Sequence, residues 1–469
     1  MQENIQSLTP VTDFVRKYNE KGISRFHMPG HKGKAVLGCE PYDITEINGA
    51  DVLFYADGIL AESQELASAI FRTGRTFFST EGSSLCIKAM LCAVMQEAAE
   101  RGTCAGRGCI AAARNVHKSF VDACALLDLD MVSIVGSEGE NYIESICCEP
   151  VSADELRDFL KQRQESGDAV LAVYVTSVDY LGNMADISGI SAVCDEYNIP
   201  LIADNAHGAY LAFLDESKHP IHNGAAICCD SAHKTLPVLT GGAYIHISKE
   251  WENRLSPYIS RALAVFGSTS PSYLILQSLD MCNRYLCEGY HGKLGRTIER
   301  IASVRKTLGS LGIACLQGEP LKIVIDAGVG GYTGYETADE MRAAGIECEY
   351  ADGNYIVLMA SPENDERDFI RLEKWAQNSV LCGSAGKVRC GKMHTCGRHI
   401  PKRVMSIRNA VFAPSEMIPA EESLGRICAS QTVSCPPAVP IIISGEEIDS
   451  ETLYLFQKYG INKVCVVKE

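Results

Sequence analysis

Chemistry in this chain is concentrated where apolar runs stop. Ala225 to Cys229 reads as a buried strand, and it ends in Asp230-Ser231-Ala232-His233-Lys234-Thr235-Leu236, with Gly241-Gly242 close behind. Lys234 is thereby carried to the edge of a core. Partial burial there disfavours the charged form and leaves an amine able to condense with an aldehyde to a Schiff base. Ser231 and His233 offer polar hydrogens of the kind that hold a phosphate. Most lysines are solvated charges, so taken alone this stretch reads as an ordinary strand end.

Comparable endings recur. Pro200 to Ala203 is apolar and runs into Asp204-Asn205-Ala206-His207-Gly208. Asp204 sits at the edge of a low-dielectric region, where ionisation is costly without a cationic partner. A protonated pyridine nitrogen is one such partner; capping of the next turn accounts for the residue equally. Cys109 to Ala113 leads into Arg114-Asn115-Val116-His117-Lys118-Ser119, which puts His117 just beyond a strand's C-terminal end, where open α/β sheets place ligands. A partly buried histidine there is also often structural. Thr76 to Ser79 joins a helix through Thr80-Glu81-Gly82-Ser83-Ser84, a glycine and two hydroxyls at the positive end of a helix. That turn suits an anion, and one serine acting as N-cap explains it as well.

Set at the ends of one βα series, these residues converge on one sheet edge. Ser83, Ser84, Ser231 and His233 make a phosphate cup, His117 a stacking imidazole, Asp204 with His207 an anion for a pyridinium, and Lys234 a Schiff-base amine. Those are the parts that pyridoxal phosphate needs to act as an electron sink. No GxGxxG opens a βαβ unit and no GxxxxGK[ST] occurs, which disfavours a dinucleotide or P-loop site.

The elements that must position these groups alternate from about 66 to 250. Leu66 to Arg72, Ser84 to Glu100 and Ile187 to Tyr197 read as helices; Met131 to Val135 and Val170 to Thr176 read as strands, the latter apolar enough for a parallel strand covered on both faces. Residues 1–65 read as an N-terminal arm in which His27 and His31 flank Pro29-Gly30. Residues 66–295 read as the large domain. A helical stretch, Leu274 to about Leu311, has a basic outer face at Lys293, Arg296 and Arg300. A small α/β domain follows over 296–382, with strands Leu321 to Asp326 and Tyr355 to Met359 and helices Thr337 to Ala344 and Glu366 to Gln377, and a last module spans 383–469.

At 469 residues, 46% apolar and 22% charged, the chain is long enough for two or three domains with a sizeable core. Its net charge of −16 argues against nucleic acid or an anionic membrane and suits a small cationic ligand. There is no basic-then-apolar leader and no apolar run of membrane-spanning length, so a cytoplasmic location is expected. The 21 cysteines lie largely in apolar runs and read as reduced thiols. Cys390, His394, Cys396 and His399 cluster, but without the paired CxxC spacing of a zinc knuckle, so no metal is expected.

The Ser231 to Leu236 stretch, Arg114 to Ser119, Phe26-His27-Met28-Pro29-Gly30-His31-Lys32 and the tail from Pro436-Pro437 to Gly445-Glu446 together resemble the short ornithine/lysine/arginine decarboxylases. The resemblance implies an α/β, aspartate-aminotransferase-like architecture (fold type I). It also implies decarboxylation of a basic amino acid to carbon dioxide and a polyamine-type amine. Lys234 would bind the cofactor aldehyde, His117 would stack on its ring and Asp204, beside Ala206 and His207, would hold the ring nitrogen. The four phosphate residues are those named above. Ser268 or Thr269 would reach a neighbouring subunit's phosphate in a homodimer or higher homo-oligomer. A proton would return from Lys234 or a histidine, and Glu46, Asp51 or Glu446 would supply acid for a cationic side chain. The sequence departs from the family at Asn205, where Asp-Glu-Ala-His is usual, at Val178 and Asp179 within Ser-Pro-Thr-Tyr, and at Thr80-Glu81-Gly82. These departures leave the cofactor residues in place and fall nearer the substrate. They keep open an aminotransferase or other lyase of the same fold, or a cofactor-binding relative with a decayed substrate pocket.

Overall fold

The computed structural model describes residues 7–102, 108–134, 151–383, 400–435 and 439–469. Two compact units emerge, Met1–Ala105 with Cys194–Gly292, and Gly106–Val193 with Lys293–Glu469. In chain order the elements to residue 310 are α1 (Pro10–Glu20), α2 (Ile59–Ile70), β1 (Arg75–Ser79), α3 (Gly82–Glu100), β2 (Cys109–Ala112), α4 (Lys118–Leu127), β3 (Asp130–Ser133), α5 (Ala153–Glu165), β4 (Ala172–Thr176), α6 (Ile187–Glu196), β5 (Leu201–Asp204), β6 (Ile227–Asp230), α7 (Ala232–Thr235), β7 (Ala243–Ile247), α8 (Glu252–Phe266), α9 (Tyr273–Cys287) and α10 (Tyr290–Ser310).

The first unit is built on strands β5, β6, β7 and β1. β5 and β6 are parallel, while β7 runs antiparallel to both β6 and β1. Every residue of β5, β6 and β7 is buried, which is why these strands read as continuous apolar runs rather than alternating ones. α3 covers one flank with Leu85, Met90, Leu91 and Val94 fully or almost fully buried, each worth roughly 1.5–3 kcal/mol against exposure. Two local expectations are corrected here. The helix expected from Leu66 begins at Ile59, because the Asp51 carboxylate accepts the N–H groups of Gly58 and Leu60 at 2.9 and 3.0 Å and so caps it from seven residues upstream. The strand expected to stop at Cys229 includes Asp230, a fully buried carboxylate. Within the arm His27 Nε2 lies 2.6 Å from the Tyr18 hydroxyl and His31 Nε2 3.2 Å from Asp43.

In the second unit β2 lies parallel between β4 and β3. Beyond residue 310 follow β8 (Cys315–Leu316), β9 (Lys322–Asp326), α11 (Gly334–Ala343), β10 (Tyr350–Ala351), β11 (Tyr355–Met359), α12 (Glu366–Asn378), α13 (Ile407–Phe412), β12 (Ser415–Pro419), β13 (Thr432–Cys435), β14 (Val439–Ile443), α14 (Ser450–Lys458) and β15 (Lys463–Val467). A four-stranded antiparallel sheet runs β10-β11-β9-β8. α11 and α12 start with capping boxes, Thr333 with Glu336 and Asp365 with Asp368, which fixes both helix starts. Ile441, Ile442, Phe456, Val464 and Val466 join Tyr355 and Val357 in one apolar cluster. Arg300 does not belong to a solvated basic face: its guanidinium bridges Glu366 and Glu373 at 2.8 and 2.7 Å. Cys390, His394, Cys396 and His399, and Pro436 and Pro437, lie outside the described residues.

Candidate active site

The backbone between β6 and β7 explains how Lys234 is presented. β6 ends at Asp230, and the single turn α7 follows at once, so Lys234 lies one turn beyond a fully buried strand and is itself half-buried. Its Nζ lies 3.0 Å from His207 Nε2. An ammonium can only donate, so with Lys234 charged His207 accepts at Nε2 and carries its proton on Nδ1. His207 is buried and stands three residues after Asp204, in the tight turn by which the chain leaves β5.

Asp204 is 3% exposed at the end of β5. Its Oδ1 accepts the Ala206 N–H at 3.2 Å, so the turn-capping role is realised, and the Cys229 thiol lies 3.7 Å from the same oxygen. Ala206 is buried in that turn. The serine turn also takes a definite form. α3 begins at Gly82, its N-cap is Glu81 with no side-chain cap bond, and both serines lie in the first helical turn. The N-cap reading of the serines is therefore corrected. Ser231 Oγ donates to Ser83 Oγ at 2.8 Å, which joins the β6–α7 turn to the start of α3.

Gly241 and Gly242 hold this arrangement through backbone. Gly241 O accepts the Gly82 N–H at 2.7 Å, and Gly242 O accepts from His233 Nδ1 at 3.0 Å. Gly241 has φ +99°, and a Cβ there would come 2.9 Å from Thr80 O. Only glycine meets both conditions without strain. The structure thus brings Ser83, Ser84, Asp204, Ala206, His207, Ser231, His233 and Lys234 together around the ends of β1, β5 and β6. Thr269 is exposed on the loop after α8, where Ser268 N donates to Glu81 Oε1 at 2.7 Å.

His117 belongs to the second unit, where it caps α4. Its Nδ1 accepts the Ser119 N–H at 3.2 Å, which sets the ring's orientation. Arg114, three residues earlier, forms a two-pronged pair with Glu446 at 2.8 Å on each side.

Residues 9–336 match the model of the Orn/Lys/Arg decarboxylase family, major domain. The chain belongs to this family. The arginine decarboxylase of Bacillus subtilis (strain 168) is 27% identical over 477 residues, covering 96% of this chain and 94% of that protein. The solved constitutive lysine decarboxylase of Escherichia coli aligns with a TM-score of 0.77 at 18% identity over 98% of this chain and 82% of that one. Oryza sativa TDC with PLP aligns at 0.52 and 14% identity over 70% of this chain and 76% of that one. The fold is the α/β, fold type I architecture, with the mixed and mostly parallel strands expected from the sequence.

Within a decarboxylase of this family a cationic side chain needs an acid, and the three candidates separate. Glu446 is 1% exposed; Arg114 takes both its oxygens and the Ile443 N–H adds a bond at 2.9 Å, so it is unavailable as a substrate acid. Burial works to raise the Asp51 pKa but is outweighed by N–H bonds from Val52, Gly58, Asp57 and Leu60, which bring it down. This carboxylate too is committed to backbone. Glu46 is half-buried and accepts from Thr45 Oγ1 at 2.6 Å. The departures also have structural uses: Asp179 accepts Asn183 N and Nδ2 at 2.8 and 2.7 Å, and Asn205 donates to Asp230. Sequence reasoning missed Asp230, His219 and His246, a buried carboxylate with two imidazoles at 3.0 and 3.3 Å. Among the described residues His219, Cys228 and Asp230 form the one group whose metal-ligating atoms lie within 4.8 Å of one another. No helix among the described residues is long and apolar enough to cross a membrane.

Proposed function

We propose that the chain is a pyridoxal-phosphate-dependent decarboxylase of a basic amino acid, with arginine the first substrate to test. The observation that carries this reading is the Lys234–His207 contact of 3.0 Å beside the buried Asp204. An amine, an imidazole within hydrogen-bond reach, a buried carboxylate and a hydroxyl pair at the start of a 19-residue helix are a donor set that fits the cofactor. When bound, the cofactor supplies an aldehyde for the lysine and a ring that accepts the electrons of the broken Cα–carboxylate bond.

The chain's own residues do the rest. Ser83, Ser84, Ser231 and His233 bind the phosphate, helped by the positive end of α3. Asp204 holds the proton on the ring nitrogen, and Ala206 packs beside it. His117 is the residue to which the family resemblance assigns stacking on the ring. His207 orients the Lys234 amine, and one of the two returns a proton to the α-carbon that carbon dioxide has left. Thr269 reaches the phosphate of a neighbouring subunit in a homodimer, a role its exposure permits. The described cysteines are free thiols, which supports a cytoplasmic site of action. Relatives named arginine decarboxylase that align over more than nine-tenths of their length support arginine, and the net charge of −16 suits a cationic amino acid of any of the three kinds. Purified protein with pyridoxal phosphate is to be offered arginine, lysine and ornithine in turn, with carbon dioxide and amine measured. Release from arginine is expected to be fastest. Transfer of the amino group to a keto acid without gas contradicts the reaction type.

A further inference from the structure

Two consecutive residues at the end of β6 hold two consecutive residues at the exit of β5. In the register that sets Asp204 opposite Cys229, the Cys229 thiol donates to Asp204 Oδ1 at 3.7 Å. One residue on, Asn205 Nδ2 donates to Asp230 Oδ1 at 2.7 Å, and the Asn205 N–H donates to Cys229 O at 3.0 Å. Cys229, Asn205 and Asp230 are all fully buried. Burial pushes the Cys229 thiol far up, so it stays protonated and faces the carboxylate as a donor. For Asp230 burial opposes ionisation, but the charge and hydrogen bonds of His219 and His246 outweigh it and hold the carboxyl below its ordinary range. His246 Nδ1 lies 2.8 Å from Thr76 Oγ1 on β1, which ties the group to a third strand.

Both imidazoles face Asp230 Oδ2, so the Asn205 amide serves the other carboxylate oxygen. The amide is committed to the link: its Oδ1 has no hydrogen-bond partner among the described residues, and it fills the space where a Cβ at residue 208 would come 2.1 Å away. Asp230 is also the last residue of β6 and stands four residues before Lys234. The clamp therefore joins the residue before Ala206 to the strand that delivers the lysine.

We propose that Cys229 and Asp230 are positioning residues. Cys229 acts directly on Asp204, and Asp230 acts through Asn205, so that together they set Asp204 relative to Lys234. The inference rests on the reading of Asp204 and Lys234 as cofactor residues. Its test uses Asn205→Ala, Cys229→Ala and Cys229→Ser in the full chain, with titration of apoprotein by pyridoxal phosphate, the Lys234-dependent absorbance band and thermal unfolding read in parallel. Asn205→Ala is expected to weaken cofactor affinity roughly tenfold and Cys229→Ala roughly threefold, both with a displaced band, whereas Cys229→Ser keeps a donor and stays near native. Lowered thermal stability with affinity and band unchanged would mean that the clamp serves the core alone and would overturn the proposal. A stoichiometric metal in the native protein that is lost in Asp230→Asn would overturn it too, because the imidazoles and Cys228 would then be ligands. Absence of any Lys234-dependent band in the native protein is a different failure, that of the cofactor reading itself.

Discussion

Two buried charged groups in this chain are built from similar residue types and are finished in opposite ways. In the second unit Arg114 and Glu446, 8% and 1% exposed, meet in a two-pronged pair, and Arg114 donates further to Pro440 O and Ile441 O. In the first unit the Lys234 amine lies 3.0 Å from His207 Nε2 and the residue is half-buried, while Asp204 stands at a strand end and bonds to a backbone N–H and a thiol. A closed pair holds structure, because neither charge can leave without stranding the other in a low dielectric. The two groups differ both in the kind of partner each charge has and in how deeply the cation is buried.

Breaking each group in turn should separate stability from chemistry. Arg114→Ala is expected to cost about 3–5 kcal/mol of folding stability, since it strips both charged hydrogen bonds from the buried Glu446 and leaves Arg403 at 3.7 Å as its remaining cation among the described residues. Denaturant unfolding measures it, and any surviving folded protein should keep its Lys234-dependent band. A cost within experimental error would mean that the pair is not the lock described here.

Asp280 sharpens the comparison as a buried carboxylate with neutral partners. Thr12 N and Ser63 Oγ donate to it at 2.8 and 2.7 Å, and burial raises its pKa from 3.8 to about 6. Because the folded value is the higher one, its contribution is complete below about 3.8 and is lost as pH rises through about 6. The loss amounts to roughly 3 kcal/mol at most. Melting curves from pH 4 to 8 should show this decline in the native protein and a flatter profile in Asp280→Asn; parallel profiles would refute the assignment.

The smallest effect on the fold and the clearest on chemistry is expected from His207→Asn. Turnover should fall by roughly 10²-fold, the scale of a lost proton-transfer or orienting group, with little change in melting temperature. Equal turnover would remove His207 from the site.

Lys234, Asp204 and the serine turn were legible because each ends an apolar run, and a polar residue at such an end is visible without knowing its neighbours. Glu446 was not, since the arginine that claims it lies 332 residues away. The group around Asp230 was hidden for a related reason. His219 lies outside any strand and His246 inside one, and only the register that sets Cys228 opposite His246 draws the two imidazoles onto one carboxylate. α8 received no assignment because Pro257 interrupts its pattern, although Arg254 anchors the helix to Glu97 of α3 at 2.9 Å. The early start of α2 depends on a cap in a loop rather than at the neighbouring residue.

The central claim is that Lys234 is the amine that holds the cofactor. Borohydride reduction of the protein incubated with pyridoxal phosphate, followed by digestion and mass spectrometry, addresses it directly. One pyridoxyl group on the peptide carrying Lys234, absent when arginine is present in excess, is the predicted result. A label spread over other lysines, with Lys234 unmodified, would contradict the account.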